Sequence, residues 1–231
     1  MIKSLDGSCD EIVIVDTGSD EATLQYEKRV ADKFYRRPWQ NDFAKMRNFA
    51  VARSSGEWIF SLDSDETASS GLVQALPDLI KASDIEGYKL PRVHYAGEPK
   101  PMKDYWRQLR LYRRHAHFFG AVHESIKNLK NIEVIDDFDL RINHFNSRKL
   151  QREKSLKYSQ YLKDRIAQAR KEHNARMVDY YQYKLWVQDN VYLLETDTGV
   201  GEETLAERYR EYEVKKDQIE KSIKEEKWKI D

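Results

Sequence analysis

The sequence predicts an α/β layered fold with flanking helices, followed by a mostly α-helical C-terminal extension. Three observations predict it. Up to about Asn146, short β-branched runs alternate with helix-period stretches, the pattern of strands layered with helices. From Ser147 onward the strand signals stop and helical periodicity stands alone. The length, 231 residues with 40% hydrophobic and 35% charged side chains, gives room for one large domain or a domain with an appendage.

The elements follow in order. Glu11 to Asp16 is an apolar, β-branched run closed by Thr17-Gly18-Ser19, a buried strand and its turn. Leu24 to Lys33 is periodic as a helix, and Lys33 to Arg36 is a second strand ended before Pro38. Asp42 to Arg53 places Phe43, Met46, Phe49, Ala50 and Ala52 at helical spacing, and Gly56 stops it. Trp58 to Leu62 is a third strand that runs straight into Asp63-Ser64-Asp65-Glu66. Gly71 to Ala82 is helical with Pro77 as an internal breaker. Gly87 to Val93 and Trp106 to Tyr112 alternate as strands. Beyond residue 147, Leu150, Leu156, Tyr161, Leu162, Ile166 and Ala169 mark one helical face. Met177 to Leu194 is an aromatic-rich second helix, and Glu202 to Lys229 a third.

Composition excludes several classes. Forty basic and forty acidic residues cancel to a net charge of +0, which argues against nucleic-acid wrapping by bulk charge. The single cysteine, Cys9, leaves no disulfide framework and no multi-cysteine zinc site, and fits a reducing compartment. No apolar stretch approaches the ~18 residues of a membrane span, and the first residues have no apolar signal core. The expectation is a cytoplasmic protein with no transmembrane segment, compatible with peripheral membrane association.

Four motifs carry chemistry. Asp63 and Asp65 stand at the tip of an apolar strand, where ligands of open α/β sheets bind. Paired carboxylates there suit Mg²⁺ or Mn²⁺; an acidic turn capping the next helix is the plain alternative. Asp16, followed by Gly18 and Ser19, could hold a ribose or base edge, or leave Ser19 or Asp20 to cap a helix. Arg47, one turn into the helix begun by Asp42, could reach a phosphate or pair with Asp42 or Asp63. His123-Glu124 and the later His144 offer a base and a ligand only in combination with the carboxylates.

In order and spacing, the segments D-E-I-V-I-V-D-T-G-S, W-Q-N-D-F-A-K-M-R-N, G-E-W-I-F-S-L-D-S-D-E and G-A-V-H-E resemble the family 2 glycosyltransferases of GT-A fold, and most closely the bacterial lipopolysaccharide-core-like subgroup. The resemblance covers about residues 5–144. It implies a glycosyltransferase domain over residues 1–146, a helical extension over 147–231, and inverting, metal-dependent transfer from a nucleotide-sugar donor to a glycan, lipid-linked or protein acceptor. Donor-nucleotide contacts would fall to Asp16, metal–diphosphate contact to Asp65, and ribose or a metal-bound water to Asp63. His144 would complete the Mn²⁺ or Mg²⁺ shell, Arg47 would face the donor, and Glu124 would deprotonate the acceptor. Trp39, Tyr95, Tyr105 and Trp106 could stack on sugars or pack in the core. The basic run Lys100, Lys103, Arg107, Arg110, Arg113 and Arg114 could meet an acidic acceptor, although a solvated strand face accounts for most of it.

The resemblance also implies one more strand at the start, lying between the strand ending at Asp16 and the strand ending at Asp63. Its absence would leave backbone groups unpaired, each costing on the order of 1–3 kcal/mol when buried, and marks the domain as N-terminally truncated, with an inactive fragment as one consequence. Two other readings stand. Asp63-Ser64-Asp65-Glu66-Thr67 also spells the opening motif of haloacid-dehalogenase-like phosphatases, with Asp63 as nucleophile, Asp65 as acid/base and Asp136-Asp137 as a later acidic pair. A non-catalytic, sugar- or partner-binding glycosyltransferase-like module is the third.

Overall fold

Helix caps set the starts of the first elements. In the computed structural model, residues 1–5, 7–95, 106–146 and 148–192 are described, with scattered helical positions between 204 and 215. The chain divides into two compact units, Met1–Ser147 and Arg148–Asp231. In the first, a 3-10 turn, Ile2–Leu5, precedes strand β1, Val13–Asp16. Helix α1, Glu21–Val30, begins earlier than its apolar period suggests because the Asp20 side chain accepts from the Thr23 N–H at 2.8 Å. Strand β2, Lys33–Arg36, pairs with β1 in parallel. Asp42 caps helix α2, Phe43–Val51, by accepting from the Lys45 N–H at 3.0 Å.

Strand β3, Trp58–Phe60, leads through the acidic turn to β4, Glu66–Ala68. Ser69 caps helix α3, Ser70–Leu79, which ends two residues past Pro77. Strands β5, Gly87–Tyr95, and β6, Trp106–Arg113, pair antiparallel. Strands β7, His117–Phe119, and β8, Ser125–Lys127, form a small antiparallel sheet of their own, and β9, Ile132–Val134, and β10, Ile142–Phe145, follow. The main sheet runs β3-β6-β5-β10-β4, with β9 added beside β5. It is mixed: β10 is parallel to β5 and antiparallel to β4. Leu72 and Leu76 of α3 bury against Tyr88, Leu90, Leu111 and Ile142 of the sheet. A second cluster joins Ala44 and Val51 of α2 to Tyr112, Ala116 and Phe118.

The strands assigned from the sequence do not include β4, the β7–β8 pair, β9 or β10, all of three or four residues in polar or mixed sequence. The main difference concerns β1 and β3. They share no ladder, and β1 and β2 stand as a separate two-stranded sheet. Arg37 donates to the Asp16 carbonyl and Lys33 to that of Ile12, so alternation turns the backbone groups of Val13 and Val15 away from β2. Ser61 N–H meets the Arg110 carbonyl and Arg114 N–H that of Glu57, which turns those of Trp58 and Phe60 away from β6. Among the described residues no strand pairs with either outer edge.

In the second unit, residues 148–192 form a helical hairpin. Helix α4, Arg148–Lys171, and helix α5, Ala175–Val187, are joined through His173 at φ 53, the left-handed position that ends many helices. Asn174 caps α5, which runs on into a π-helical turn, Gln188–Tyr192. The buried stripe of α4 is Ser155, Ser159, Leu162, Ile166 and Ala169. Leu150 and Leu156, expected on that face, are 46% and 52% exposed. They fall off the i, i+4, i+7, i+11 row, which includes two buried serines, Ser159 donating to Asp189 at 2.6 Å. Leu193 and Leu194, and nearly all of the expected helix over 202–229, lie outside the described residues.

Candidate active site

The turn between β3 and β4 is closed reciprocally. Glu66 N–H donates to the Asp63 carbonyl at 3.0 Å, and Asp63 N–H donates to Glu66 Oε2 at 2.9 Å. Strand alternation then separates the two neighbours. Glu66 points inward and is fully buried, while the Asp65 side chain keeps 26% of its surface exposed. The Phe145 N–H bonds to the Asp65 carbonyl at 2.8 Å. The register sets His144 opposite Glu66 on one side and His94 on the other. His144 Nε2 lies 3.2 Å from Asp65 Oδ2, and its ring meets His94 edge-on, with nitrogens 2.9 Å apart.

Arginines fill the space beneath. Arg47 contacts Glu124 through Nε, Ser61 Oγ at 2.8 Å and Asp63 Oδ1 at 3.3 Å. Arg110 Nη2 reaches Asp63 Oδ2 at 2.8 Å and Glu66 Oε1 at 2.7 Å. Arg92 Nε donates to Glu66 Oε1 at 2.6 Å, and its Nη1 lies 3.2 Å from His94 Nε2. A continuous polar chain thus links Glu124, Arg47, Asp63, Arg110, Glu66, Arg92, His94, His144 and Asp65. These pairs are charge-assisted and mostly shielded from solvent, the setting in which such bonds are strongest.

The protonation consequences follow from geometry. Burial acts to raise Asp63, but Arg110 and then Arg47 overrule it and hold the carboxyl well below the usual carboxylate range. Glu124 is lowered too, Arg47 outweighing the opposing effect of burial. Burial pulls Arg47 down, yet Glu124 and Asp63 raise it overall. At Asp16 burial is opposed by the Ser19 and Gly18 N–H groups, at 2.7 and 3.1 Å, and the net direction is down. Carboxylates lowered in the folded state stabilise the protein fully above their unfolded values near ~4, and that contribution is lost as pH falls further. The melting temperature is therefore expected to hold nearly level from pH 7 to about 5 and to drop steeply below about 4. Glu27, raised chiefly by burial and next by Asp16, acts in the opposite sense. A pH series of thermal melts checks this; a flat profile to pH 3 would contradict it.

The sequence candidates distribute unevenly. Asp63, Arg47 and Glu124 come together, and Asp65 meets His144. Asp63 has both oxygens engaged by guanidinium groups although its side chain is 42% exposed. Among the described residues no three His, Cys, Asp or Glu side chains stand ready to hold a metal ion. Asp16 is buried at the end of β1 beside Arg36, at 3.3 Å, and its Oδ2 has no hydrogen-bond partner. Trp39 packs edge-on against Phe43 and Tyr95 stacks on Phe145, centroids 4.6 and 5.2 Å apart. Tyr105, Lys100, Lys103 and the Trp106 side chain lie outside the described residues. Arg107 pairs with Asp136, and Arg113 with Glu57 and the Trp58 ring. Arg110, expected on a solvated face, is 3% exposed.

The sequence profile of glycosyl transferase family 2 matches residues 2–154. The chain belongs to glycosyl transferase family 2. Its α/β unit with a mixed sheet is the GT-A type of that family. The lipopolysaccharide core biosynthesis glycosyltransferase LpsC of Rhizobium meliloti is 36% identical over 123 residues, 49% of this chain and 44% of that protein. A TPR repeat-containing protein of Synechococcus elongatus is 35% identical over 65 residues, 28% of this chain and 16% of that protein. The chain thus spans less than half the length of either relative. An uncharacterized glycosyltransferase of Rickettsia typhi is 22% identical over 196 residues, 76% of this chain and 66% of that protein. Among solved structures, S. aureus TarS 1–349 in complex with UDP aligns at 15% identity with a TM-score of 0.47, covering 80% of this chain and 67% of that chain.

Sequence reasoning missed Arg92, His94 and the inward turn of Arg110. A signal existed for two of them. Arg92 and His94 recur at period two on a strand otherwise rich in apolar residues, which puts both on one face.

Proposed function

We propose that this family 2 chain transfers a sugar from a nucleotide-sugar donor to an acceptor hydroxyl with inversion, assisted by a divalent cation. The Asp65–His144 contact at the sheet tip, beside the arginine-held Asp63, is the observation that carries this reading. Asp65 suits a hard cation, since Mg²⁺ is commonly held by one or two carboxylates plus substrate phosphates, and His144 would add an imidazole nitrogen, a donor that softer divalent ions prefer. Asp63, with its oxygens occupied by Arg47 and Arg110, serves better as an anchor for those cations than as a ligand. A cation bound at Asp65 and His144 would neutralise charge on the departing diphosphate.

The remaining roles fall to side chains of the chain itself. Arg47 adds positive charge where the leaving group develops negative charge. Glu124 accepts the acceptor's proton as the hydroxyl attacks the anomeric carbon. Its pairing with Arg47 keeps it ionised and ready to accept, while the depressed pKa makes it a weaker base. Asp16 orients the nucleoside through Oδ2, which is ion-paired with Arg36 but accepts no hydrogen bond among the described residues. The unpaired outer edges of β1 and β3 support the further proposal that one additional strand completes this sheet. They also keep the non-catalytic module in play, a reading that turnover would exclude.

Calorimetry with Mn²⁺ and UDP, GDP or CDP, followed by turnover with the matching nucleotide-sugars, tests the proposal. One nucleotide is expected to bind only when Mn²⁺ is present, and Asp65→Asn to weaken that binding at least tenfold without lowering the melting temperature. Undiminished Mn²⁺-dependent affinity in Asp65→Asn would remove the residue from the site. Phosphate-ester hydrolysis without nucleotide-sugar turnover would favour the phosphatase reading instead.

A further inference from the structure

The β5–β6 ladder contains one irregularity. Tyr88 pairs with Leu111 but Lys89 pairs with Leu109, so Arg110 is the extra residue on β6. Such bulges re-aim a side chain, and they concentrate near active sites. Arg110, Leu111 and Tyr112 are buried in succession, Leu111 in the cluster with α3 and Tyr112 in the cluster with α2. The re-aimed guanidinium spans Asp63 Oδ2 and Glu66 Oε1 with a single nitrogen, leaving its Nε and Nη1 buried without hydrogen-bond partners. A buried arginine kept in so poorly satisfied a pose is costly, and what that pose secures is the acidic turn.

We propose that Glu66 and Arg110 form a positioning device that fixes the turn presenting Asp63 and Asp65. Glu66 is its hub. One carboxylate oxygen takes the Asp63 N–H, and the other takes Arg92 and Arg110. Arg110 then ties the hub to the Asp63 side chain, so backbone and side chain of Asp63 are held from the same fully buried carboxylate. Neither residue is given contact with substrate; both act through the turn. The catalytic consequence rests on the transferase reading above, whereas the rigidity of the turn does not.

Glu66→Gln separates the two. Its amide NH2 would face either the Asp63 N–H or the two arginines, donor against donor, where the carboxylate accepts from all three. Amide exchange at Asp63 is expected to quicken at least tenfold while β5 amides keep their wild-type rates. With a donor identified by the calorimetry, kcat is expected to fall about 10–100-fold, or the Mn²⁺ requirement to rise by the same factor, the range seen when partners behind a metal ligand are removed. Asp63→Asn is expected to blunt the effect of Glu66→Gln, because both act on one unit. Unchanged exchange at Asp63 would overturn the device, as would quickened exchange with wild-type kcat and Mn²⁺ dependence. A wild type that turns over no donor speaks against the transferase reading alone, and the exchange measurement then decides by itself. Should Glu66→Gln fail to fold, Glu66→Asp, which keeps the charge but shortens the reach, is measured the same way.

Discussion

Arg47→Met is expected to cost about 3 kcal/mol of stability and to abolish measurable transfer. Arg47 is a shared counter-ion for Glu124 and Asp63 and a donor to Ser61. Removing one partner of a buried ion pair costs ~3–5 kcal/mol, because the other charge is left uncompensated. The lower end applies, since Asp63 retains Arg110 and is 42% exposed. For a chain of this size that loss corresponds to a fall in melting temperature of roughly 6–12 °C. Glu124→Gln in the same background is expected to recover most of the lost stability, since replacing both members of such a pair is often near neutral. It would recover none of the activity. A melting temperature within 2 °C of wild type for Arg47→Met, a margin of ~0.5–1 kcal/mol, would show that Glu124 finds another partner, and the charge network would need redrawing.

Much of the fold could be read because its signals were local. The strand ending at Asp16, the capped helices and the acidic turn each follow from residues within a few positions of one another. The Asp65–His144 contact was within reach because motif order along the chain pointed to a late histidine. What could not be read was set by pairing between distant strands. Arg110 looks like one of several basic residues on an alternating strand, and its inward place emerges only once β6 is paired between β3 and β5. Arg92 and His94 gain meaning only when β10 brings His144 beside them and β4 brings Glu66. Leu150 and Leu156 failed differently. An apolar period seen alone cannot fix the phase of a helix whose buried stripe includes serines.

Adding one strand to the α/β unit is expected to raise its stability by roughly 5 kcal/mol, as a sum of new backbone bonds each worth ~0.5–1.5 kcal/mol net. The observation behind this is a pair of edges that no strand covers among the described residues: the backbone groups of Val13 and Val15 on β1 point away from β2, and those of Trp58 and Phe60 on β3 point away from β6. The starts of the two strands are tied together, because Glu11 accepts from both the Ser55 N–H and the Ser55 hydroxyl. One strand needs two spacings of ~4.8 Å, a gap that a glutamate side chain and a hydrogen bond can bridge at its mouth. Every residue of β3, and Val13, Ile14 and Val15 of β1, is only half-buried despite being apolar. A two-stranded parallel sheet has little stability by itself. A version extended ahead of Met1 by an apolar strand and a crossover of about a dozen residues therefore has both edges to satisfy at once. In the present chain the amides of Val13, Val15, Trp58 and Phe60 are expected to exchange within about tenfold of unfolded rates, and in the extended version to slow by more than a thousandfold, about 4 kcal/mol of protection. Protection of these amides in the present chain would mean the gap is already closed by contacts within it. Unprotected edges that stay so in the extended chain would mean the added strand lies elsewhere. If the edges are open, concentrated samples of the present chain are also expected to self-associate through them, as unpaired edges do, and a soluble extended chain beside a precipitating short one would point to the same gap.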